Sequence, residues 1–122
     1  DVAQKYGVSV ISLIAPTSED RIKMIASEAE GFIYIVSSMG VTGVRSEIKT
    51  DIGHIMEAVK KYAKVPAAVG FGISKPEQAK KMADLSDGVI VGSAIVKLVS
   101  QYGSDAPDHI YEYVKSMKDA IR

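Results

Sequence analysis

Short apolar runs and longer amphipathic segments alternate along the whole chain. The uncharged runs cover residues 8–14, 32–36, 67–70 and 88–91. Short runs of β-branched and small apolar residues are typical of strands that are buried on both faces in a parallel sheet. The pattern therefore predicts a strand at each of these four positions.

The segments between and after the runs carry apolar residues at helical spacing. From Ile22 to Ala29 they recur at i, i+3, i+4 and i+7, and Gly31 closes this helix. Thr17 and Asp20, just ahead of that stripe, predict a capping box. The stripes of the later helices are Ile52, Ile55, Met56 and Val59, then Ala79, Met82 and Ala83, and finally Ile110, Tyr113, Val114, Met117 and Ile121.

The order of elements predicts the fold class. The start signals of the later helices are a capping box of Ser74 and Glu77 with Pro76 in the first turn, Gly92-Ser93 before residues 94–99, and Pro107. Strands that alternate with amphipathic helices predict an α/β fold with a parallel sheet, either part of a β/α barrel or an open doubly wound sheet. No linker divides residues 1–122, so we expect a single segment.

The chain starts with what reads as the last turns of a helix. Residues 1–6 precede Gly7, which occupies the position where many helices end in a left-handed conformation. Because this helix has no beginning, we expect the chain to be a segment of a longer protein. Such a segment leaves apolar sheet edges uncovered, so we also expect it to need a partner or self-association for stability.

Composition narrows the classes of function. The chain of 122 residues is 47% hydrophobic, and its 15 basic and 15 acidic residues form no cluster of either sign. The balance of basic and acidic residues argues against nucleic acid as a partner. No apolar run approaches the ~20 residues needed to span a membrane. The sequence has no cysteine, which suits a reducing compartment. We therefore expect a cytoplasmic protein that binds small molecules or another protein.

Glycines at the carboxyl ends of the predicted strands are the strongest functional signal. Parallel β/α proteins keep their active sites at this edge, and glycine lets a ligand approach the backbone closely. The glycines concerned are Gly40, Gly43, Gly70, Gly72 and Gly92. Gly92 and Ser93 open a helix, where free amides and the helix dipole favour an anion such as phosphate. Each motif alone is equally compatible with a tight turn, whereas both together favour a phosphate site.

Candidates for acid–base catalysis and metal binding are missing from the same edge. The carboxylates fall in helices or before strands, and Glu47, in the long loop after the second strand, is the nearest candidate, with loop solvation as the favoured role. His54 and His109 have no second ligand at metal spacing, so no metal site is predicted. The motif that contains Gly70 and Gly72 lacks the third glycine of the dinucleotide-binding fingerprint, which argues against a Rossmann dinucleotide site.

Three motifs carry a resemblance to a known family. They are residues 37–43 (SSMGVTG), residues 68–78 (AVGFGISKPEQ) and residues 91–96 (VGSAIV). In their order and spacing, over essentially the whole chain, they resemble the tryptophan synthase alpha-subunit family. The resemblance implies the C-terminal half, strands five to eight, of a TIM (β/α)8 barrel. It also implies a lyase of tryptophan biosynthesis, which cleaves indole-3-glycerol phosphate to indole and glyceraldehyde 3-phosphate.

The same resemblance implies roles for individual residues. Gly43, Gly72, Gly92 and Ser93 would hold the phosphate, Thr42 would support closure of a mobile loop, and Tyr34 and Phe71 would border the substrate pocket. The catalytic carboxylates would lie in the N-terminal half, outside this sequence, so this segment alone is expected to be inactive. The implied partner is a beta subunit in an α2β2 complex. Pyridoxal phosphate is expected only in that partner, and no cofactor in this chain.

Two other functions stay open. The chain could be a non-catalytic phosphate-binding half-barrel module. It could also belong to another phosphate-binding barrel enzyme, such as an indole-glycerol-phosphate synthase or a sugar-phosphate isomerase. Those enzymes usually carry acids or lysines at the ends of these strands, and the strand ends predicted here do not.

Overall fold

The structure is a computed structural model that describes residues 2–37, 52–70 and 72–122. In chain order the elements are α1 (Val2–Lys5), β1 (Ser12–Ile14), α2 (Glu19–Glu28), β2 (Ile33–Val36), α3 (Ile52–Tyr62), β3 (Ala67–Gly70), α4 (Pro76–Ala83), β4 (Gly88–Val89), α5 (Ser93–Tyr102), a 3-10 turn (Gly103–Asp105) and α6 (Ala106–Ala120). None of the helices in these ranges is long and apolar enough to cross a lipid bilayer.

The strands form one parallel sheet in the order β1-β2-β3-β4. Tyr34 of β2 pairs with Ala68 of β3, and Val36 pairs with Gly70. Because the strands are parallel, their carboxyl ends meet at one edge of the sheet, where β3 and β4 run into the loops before α4 and α5. The parallel α/β fold predicted from the sequence is confirmed.

Alternate residues of the central strands build the main core. Ile33 and Ile35 of β2 and Val69 of β3 are fully buried and belong to one cluster with residues of α2 and α3. A strand buries every second side chain on the face that its helices cover. Tyr34 and Ala68 are one position out of phase and only partly buried. The face that carries Tyr34 and Ala68 is therefore free to form a site.

A smaller apolar cluster includes the loop that follows β3. Ile73 of this loop, Ala79 of α4 and Met117 of α6 are buried there, and Val89 and Tyr113 pack against them. Full burial of one large apolar side chain stabilises a fold by about 1.5–3 kcal/mol. This cluster therefore anchors α4 and α6 to the end of the sheet where β3 terminates.

The first strand is shorter and more exposed than the sequence predicts. β1 pairs with β2 only over Ser12–Ile14, and Val8 and Val10 are 58% and 64% exposed. Within the described ranges, β1 has a neighbouring strand on one side only. The prediction of a strand over residues 8–14 that is buried on both faces was therefore wrong.

The fourth strand also ends earlier than predicted. β4 covers Gly88–Val89 instead of residues 88–91, although the Ile90 amide still donates to the Val69 carbonyl at 2.8 Å. The backbone leaves the extended conformation at Gly92, with φ −116° and ψ −75°, in order to start α5. The early turn into α5 brings a helix N-terminus next to the end of β3.

The ends of the first two helices match the sequence in part. Gly7 follows α1 with a φ of +66°, which confirms the predicted helix end. α2 begins after Ser18, whose side chain makes no capping hydrogen bond. The predicted capping box of Thr17 and Asp20 was therefore wrong, because the helix starts one residue later than that box requires.

Candidate functional site

A cleft of about 510 Å³ opens at the carboxyl edge of the sheet. It lies between the loops that follow β3 and β4 and the first turns of α5. It is lined by Tyr34, Gly72, Ile73, Ser74, Ile90, Gly92, Ser93, Ala94 and Lys97, and is named here the strand-end cleft. Parallel β/α proteins bind their ligands at this edge.

Gly72 and Ser74 form the wall on the β3 side. Gly72 has a φ of +74°, in the left-handed region that favours glycine. The side-chain oxygen of Gln78 accepts hydrogen bonds from the amides of Ser74 and Lys75, each at 3.0 Å. The predicted capping box of Ser74 and Glu77 was therefore wrong by one residue, since Gln78 of α4 makes these bonds.

The carbonyl group of Ser74 is bound by Tyr113 of α6. The Tyr113 hydroxyl donates a hydrogen bond to the Ser74 carbonyl at 2.9 Å, across 39 residues of sequence. Burial raises the pKa of Tyr113 above its ordinary value, so the hydroxyl keeps its proton and stays a donor. The backbone of this wall is thus bound to side chains from two different helices.

Gly92 and Ser93 form the wall on the β4 side. The Gly92 carbonyl accepts the first hydrogen bonds of α5, from Ile95 at 2.9 Å and Val96 at 3.1 Å. The first amides of a helix have no acceptor within it, so those of Ser93 and Ala94 can bind a ligand or water. A Cβ at Gly92 would meet no atom within 4 Å, so open space adjoins this backbone.

Tyr34 lies across Gly70 beside the cleft. A Cβ added at Gly70 would overlap the phenol of Tyr34, whose ring carbon Cε1 would be 2.8 Å away. The amide and hydroxyl of Ser37 both donate to the Gly70 carbonyl, at 3.1 and 3.0 Å. The sequence suggested that Gly70 admits a ligand to the backbone. In the structure Tyr34 fills that space, so Gly70 shapes the cleft by making room for the ring.

Lys97 is a lining residue that the sequence motifs did not single out. It lies four positions after Ser93 on α5, so both side chains project from the same face of the helix. Within the described part of the chain, no other cationic side chain lines the cleft. The sequence signal that could have identified Lys97 was its i, i+4 spacing from Ser93, which directly follows Gly92.

The structure brings together candidate residues from separate parts of the sequence. Tyr34, Gly72, Gly92 and Ser93 all line the strand-end cleft. Phe71, Thr42, Gly43 and Glu47 lie outside the described residues. Phosphate binding by the candidate residues stays a prediction, and so does the role of the residues outside the described ranges.

Carboxylates and imidazoles are absent from the lining of the cleft within the described ranges. His54 and His109 are exposed, and the His109 ring stacks on Tyr102 with 3.6 Å between ring centroids. Residues 2–37, 52–70 and 72–122 contain no group of three or more side chains placed to hold a metal ion.

The fold and the cleft together define a class of protein. Helices follow the strands of a parallel sheet, and the cleft lies where two adjacent strands end. Glycine backbone, the first amides of a helix and a lysine surround it. The chain is therefore a parallel α/β protein with a cleft at the carboxyl edge of its sheet, where proteins of this class bind their ligands.

Comparison with known proteins gives the family. The family model described as tryptophan synthase alpha chain matches residues 1–122. The chain belongs to the tryptophan synthase alpha chain family, a family of lyases in tryptophan biosynthesis. The resemblance seen in the sequence motifs is confirmed.

Relatives of known name agree with this family. The tryptophan synthase alpha chain of Lacticaseibacillus casei is 49% identical over 120 residues, which cover 98% of this chain and 45% of the relative. The alpha chain of Thermoanaerobacter sp. (strain X514) is 48% identical over 121 residues, which cover 98% and 46%. The chain therefore spans about half the length of these relatives.

Solved structures of the family have the same fold. A chain of the tryptophan synthase α2β2 complex from Pyrococcus furiosus superposes with a TM-score of 0.79 at 33% identity, over 97% of this chain and 48% of that one. The alpha subunit from Campylobacter jejuni superposes with a TM-score of 0.73 at 32% identity, over 97% and 44%. The described elements thus match those of alpha chains.

Proposed function

We propose that this chain provides the phosphate-binding part of a tryptophan synthase alpha chain. In this proposal the strand-end cleft holds the phosphate of indole-3-glycerol phosphate while that substrate is cleaved to indole and glyceraldehyde 3-phosphate. The observation that carries the proposal is that Gly72, Gly92 and Ser93 line one cleft at the start of a helix. Membership of the alpha chain family supports the choice of reaction.

A phosphate in the cleft would meet three sources of positive potential. The N-terminus of α5 carries about half a positive charge from the helix dipole and presents the amides of Ser93 and Ala94. The Ser93 hydroxyl can donate a further hydrogen bond, and Lys97 adds a full positive charge. Hydrogen bonds to an ionised group are roughly twice as strong as neutral ones, so the bare backbone is an effective anion site.

The remainder of the substrate would extend over the apolar part of the cleft. Tyr34 and Ile90 offer an aromatic and an aliphatic surface next to the phosphate position. Aromatic rings stack favourably on one another, which suits an indole. In this proposal Tyr34 borders the indole part of the site, and Phe71, which lies outside the described residues, is assigned to the same part from the family resemblance. From the segment that follows β2 in the sequence, Thr42 is assigned to closure of the loop over the substrate, and Gly43 is assigned to binding of the phosphate.

The four strands correspond, in this proposal, to strands five to eight of a (β/α)8 barrel. The chain accounts for 45% of the length of the L. casei alpha chain. Cleavage of the substrate needs groups that transfer protons, and the described lining of the cleft supplies no carboxylate or histidine. The catalytic carboxylates are therefore assigned to the other part of the alpha chain, and the 122-residue chain alone is expected to bind phosphate without turnover.

A beta subunit is the proposed protein partner. The solved α2β2 complex from P. furiosus, one chain of which has this fold, supports that assignment. Pyridoxal phosphate would belong to the beta subunit, and the alpha chain would act without a cofactor. The cytoplasm is the proposed location, in keeping with a sequence that contains no cysteine.

A second candidate is a phosphate-binding module without catalysis. The observation in its favour is the same lack of a carboxylate in the described lining of the strand-end cleft. The other barrel enzymes considered from the sequence have less support, because the family model and the named relatives are alpha chains. Activity in a complete alpha chain separates the two candidates that remain.

The first test is a titration of the 122-residue chain with inorganic phosphate, followed by amide NMR. We expect saturable shifts at Gly72, Gly92 and Ser93, because their amides would contact the anion. Gly7 and Gly31 also have left-handed backbones but precede strands, so their amides should not move. Equal shifts at all of these glycines, or none at Gly92 and Ser93, would contradict the proposal.

The second test places these residues in a complete alpha chain. The 120 matched residues of the L. casei alpha chain are exchanged for those of this chain, and indole release from indole-3-glycerol phosphate is measured. We expect activity within about tenfold of the unaltered L. casei protein. A folded chimera that binds phosphate but releases no indole would favour the non-catalytic module.

Replacing Lys97 by methionine is expected to weaken phosphate binding by about threefold to tenfold. Lys97 is exposed, so solvent and salt screen its attraction, and the variant should also show a smaller loss of affinity at high salt. Lys115→Met is the matched control, since Lys115 is an exposed lysine on α6 that lines a different groove. Phosphate titrations at low and high salt that give both variants the same affinity would refute a role for Lys97.

A further inference from the structure

One hydrogen bond connects the last helix to the wall of the strand-end cleft. The Tyr113 hydroxyl donates to the Ser74 carbonyl at 2.9 Å. Ser74 lines the cleft, whereas Tyr113 is not among the lining residues. Any effect of Tyr113 on a bound ligand is therefore indirect, through the backbone at Ser74 or through the cluster that contains Ile73.

The backbone at Ser74 is held on both sides. Its amide and its hydroxyl donate to the side-chain oxygen of Gln78, at 3.0 and 3.3 Å. The preceding residue, Ile73, is 6% exposed and packs in one cluster with Met117 of α6. Gln78 thus holds the amides of Ser74 and Lys75, and Tyr113 holds the Ser74 carbonyl, which belongs to the same peptide as the Lys75 amide.

The direction of this carbonyl matters for an anion. A carbonyl oxygen carries partial negative charge and repels phosphate, whereas successive backbone amides that point into a concavity attract it. The hydrogen bond to Tyr113 directs the Ser74 oxygen towards α6. Without that bond, the hydrogen bond from the Lys75 amide to Gln78, at 3.0 Å, is left to hold the peptide that follows Ser74, so the Ser74 oxygen is directed away from the cleft less firmly.

We propose that Tyr113 is a positioning residue for anion binding, because its hydroxyl keeps the Ser74 carbonyl turned away from the strand-end cleft. The inference rests on the proposed function, since it concerns the same phosphate site. It extends the site to a helix that does not touch the ligand.

The test variant is Tyr113→Phe, which removes the hydroxyl and keeps the ring in its cluster. We expect phosphate to bind about threefold to tenfold more weakly, which corresponds to the loss of one hydrogen bond. The carbonyl 13C resonance of Ser74 should shift as well, since it reports this bond directly. Tyr111→Phe is the matched control, because Tyr111 lies on the same helix, is 64% exposed and does not line the cleft.

The outcomes separate this inference from the proposed function. If the unaltered chain shows no saturable phosphate shifts, the proposed function fails. If the unaltered chain binds phosphate and Tyr113→Phe binds it equally well, the positioning role is wrong even where the variant melts at a lower temperature. A weaker affinity in Tyr113→Phe, with no change in Tyr111→Phe, supports it.

Kinetics in the L. casei chimera provide a second measurement. A positioning role in phosphate binding predicts that Tyr113→Phe raises KM about threefold to tenfold and leaves kcat within about twofold. A loss of kcat at constant KM would overturn the inference. The larger protein also allows the measurement if the shorter chain does not tolerate the substitution.

Discussion

Replacing Gly92 by aspartate is expected to weaken phosphate binding by at least about 100-fold while the melting temperature stays nearly unchanged. A carboxylate about 5 Å from the anion repels it by roughly 3 kcal/mol per unit of charge at an effective dielectric constant of 20. The fold should accept the side chain, because a Cβ at Gly92 meets no atom within 4 Å and its φ of −116° suits any residue. Aspartate is also a favourable residue at a helix N-cap.

The control for this variant is Gly92→Asn, which has the same shape without the charge. Asparagine caps helices as well as aspartate does, so both variants should have similar stability. Phosphate titrations by amide NMR then isolate the effect of charge. If Gly92→Asp and Gly92→Asn bind phosphate equally, the anion does not lie at the start of α5.

Replacing Gly70 by alanine is expected to destabilise the fold by about 1–3 kcal/mol, the usual cost of overpacking a filled site. The added methyl group would overlap the phenol of Tyr34, so the ring must leave its position beside the cleft. Urea unfolding measures the free energy, and the ring proton resonances of Tyr34 report its displacement.

Two companion variants show whether the ring causes this loss. Gly88→Ala is the matched control, because its Cβ would lie 3.8 Å from the Ala68 Cβ, an ordinary contact. We expect it to change the free energy of unfolding by less than about 0.5 kcal/mol. In a Tyr34→Ala background, Gly70→Ala should cost little. An undiminished cost there would show that Gly70 is needed for another reason.

The strands and the position of the cleft followed from simple patterns in the sequence. Uncharged runs identified all four strands, and parallel order made their carboxyl ends meet. That geometry alone brought Gly72 and Gly92 together, although they are 20 positions apart in the sequence. The prediction succeeded because parallel strands place their carboxyl ends at one edge of the sheet, so residues that follow neighbouring strands lie close together.

The residues that support the cleft could not be read from the sequence. Tyr113 belongs to an ordinary apolar stripe, and only the packing of α6 against α4 places its hydroxyl at Ser74. The reason for Gly70 was misjudged in the same way, since the ring that fills its space comes from the neighbouring strand. Both depend on contacts between distant segments, which periodicity and propensity do not encode.

The ends of elements were predicted less well than the elements. Either Glu77 or Gln78 can occupy the third position of α4, and a shift of one residue decides which of them caps the helix. β1 reads as a central strand because residues 8–14 are mostly apolar and carry no charge, yet Val8 and Val10 are exposed. Burial depends on what covers a strand, and its own sequence does not specify that cover.

The lack of acids and imidazoles in the described lining of the strand-end cleft has a consequence for its response to acidity. Histidine is the side chain that ordinarily changes charge between about pH 5 and 8, and that lining contains none. A phosphate ester loses its second proton at about pH 6. The affinity of the strand-end cleft for a phosphate ester should therefore rise as the ester becomes a dianion and then stay constant through the neutral range. In the proposed site, a change in acidity would therefore act first on the charge of the ligand.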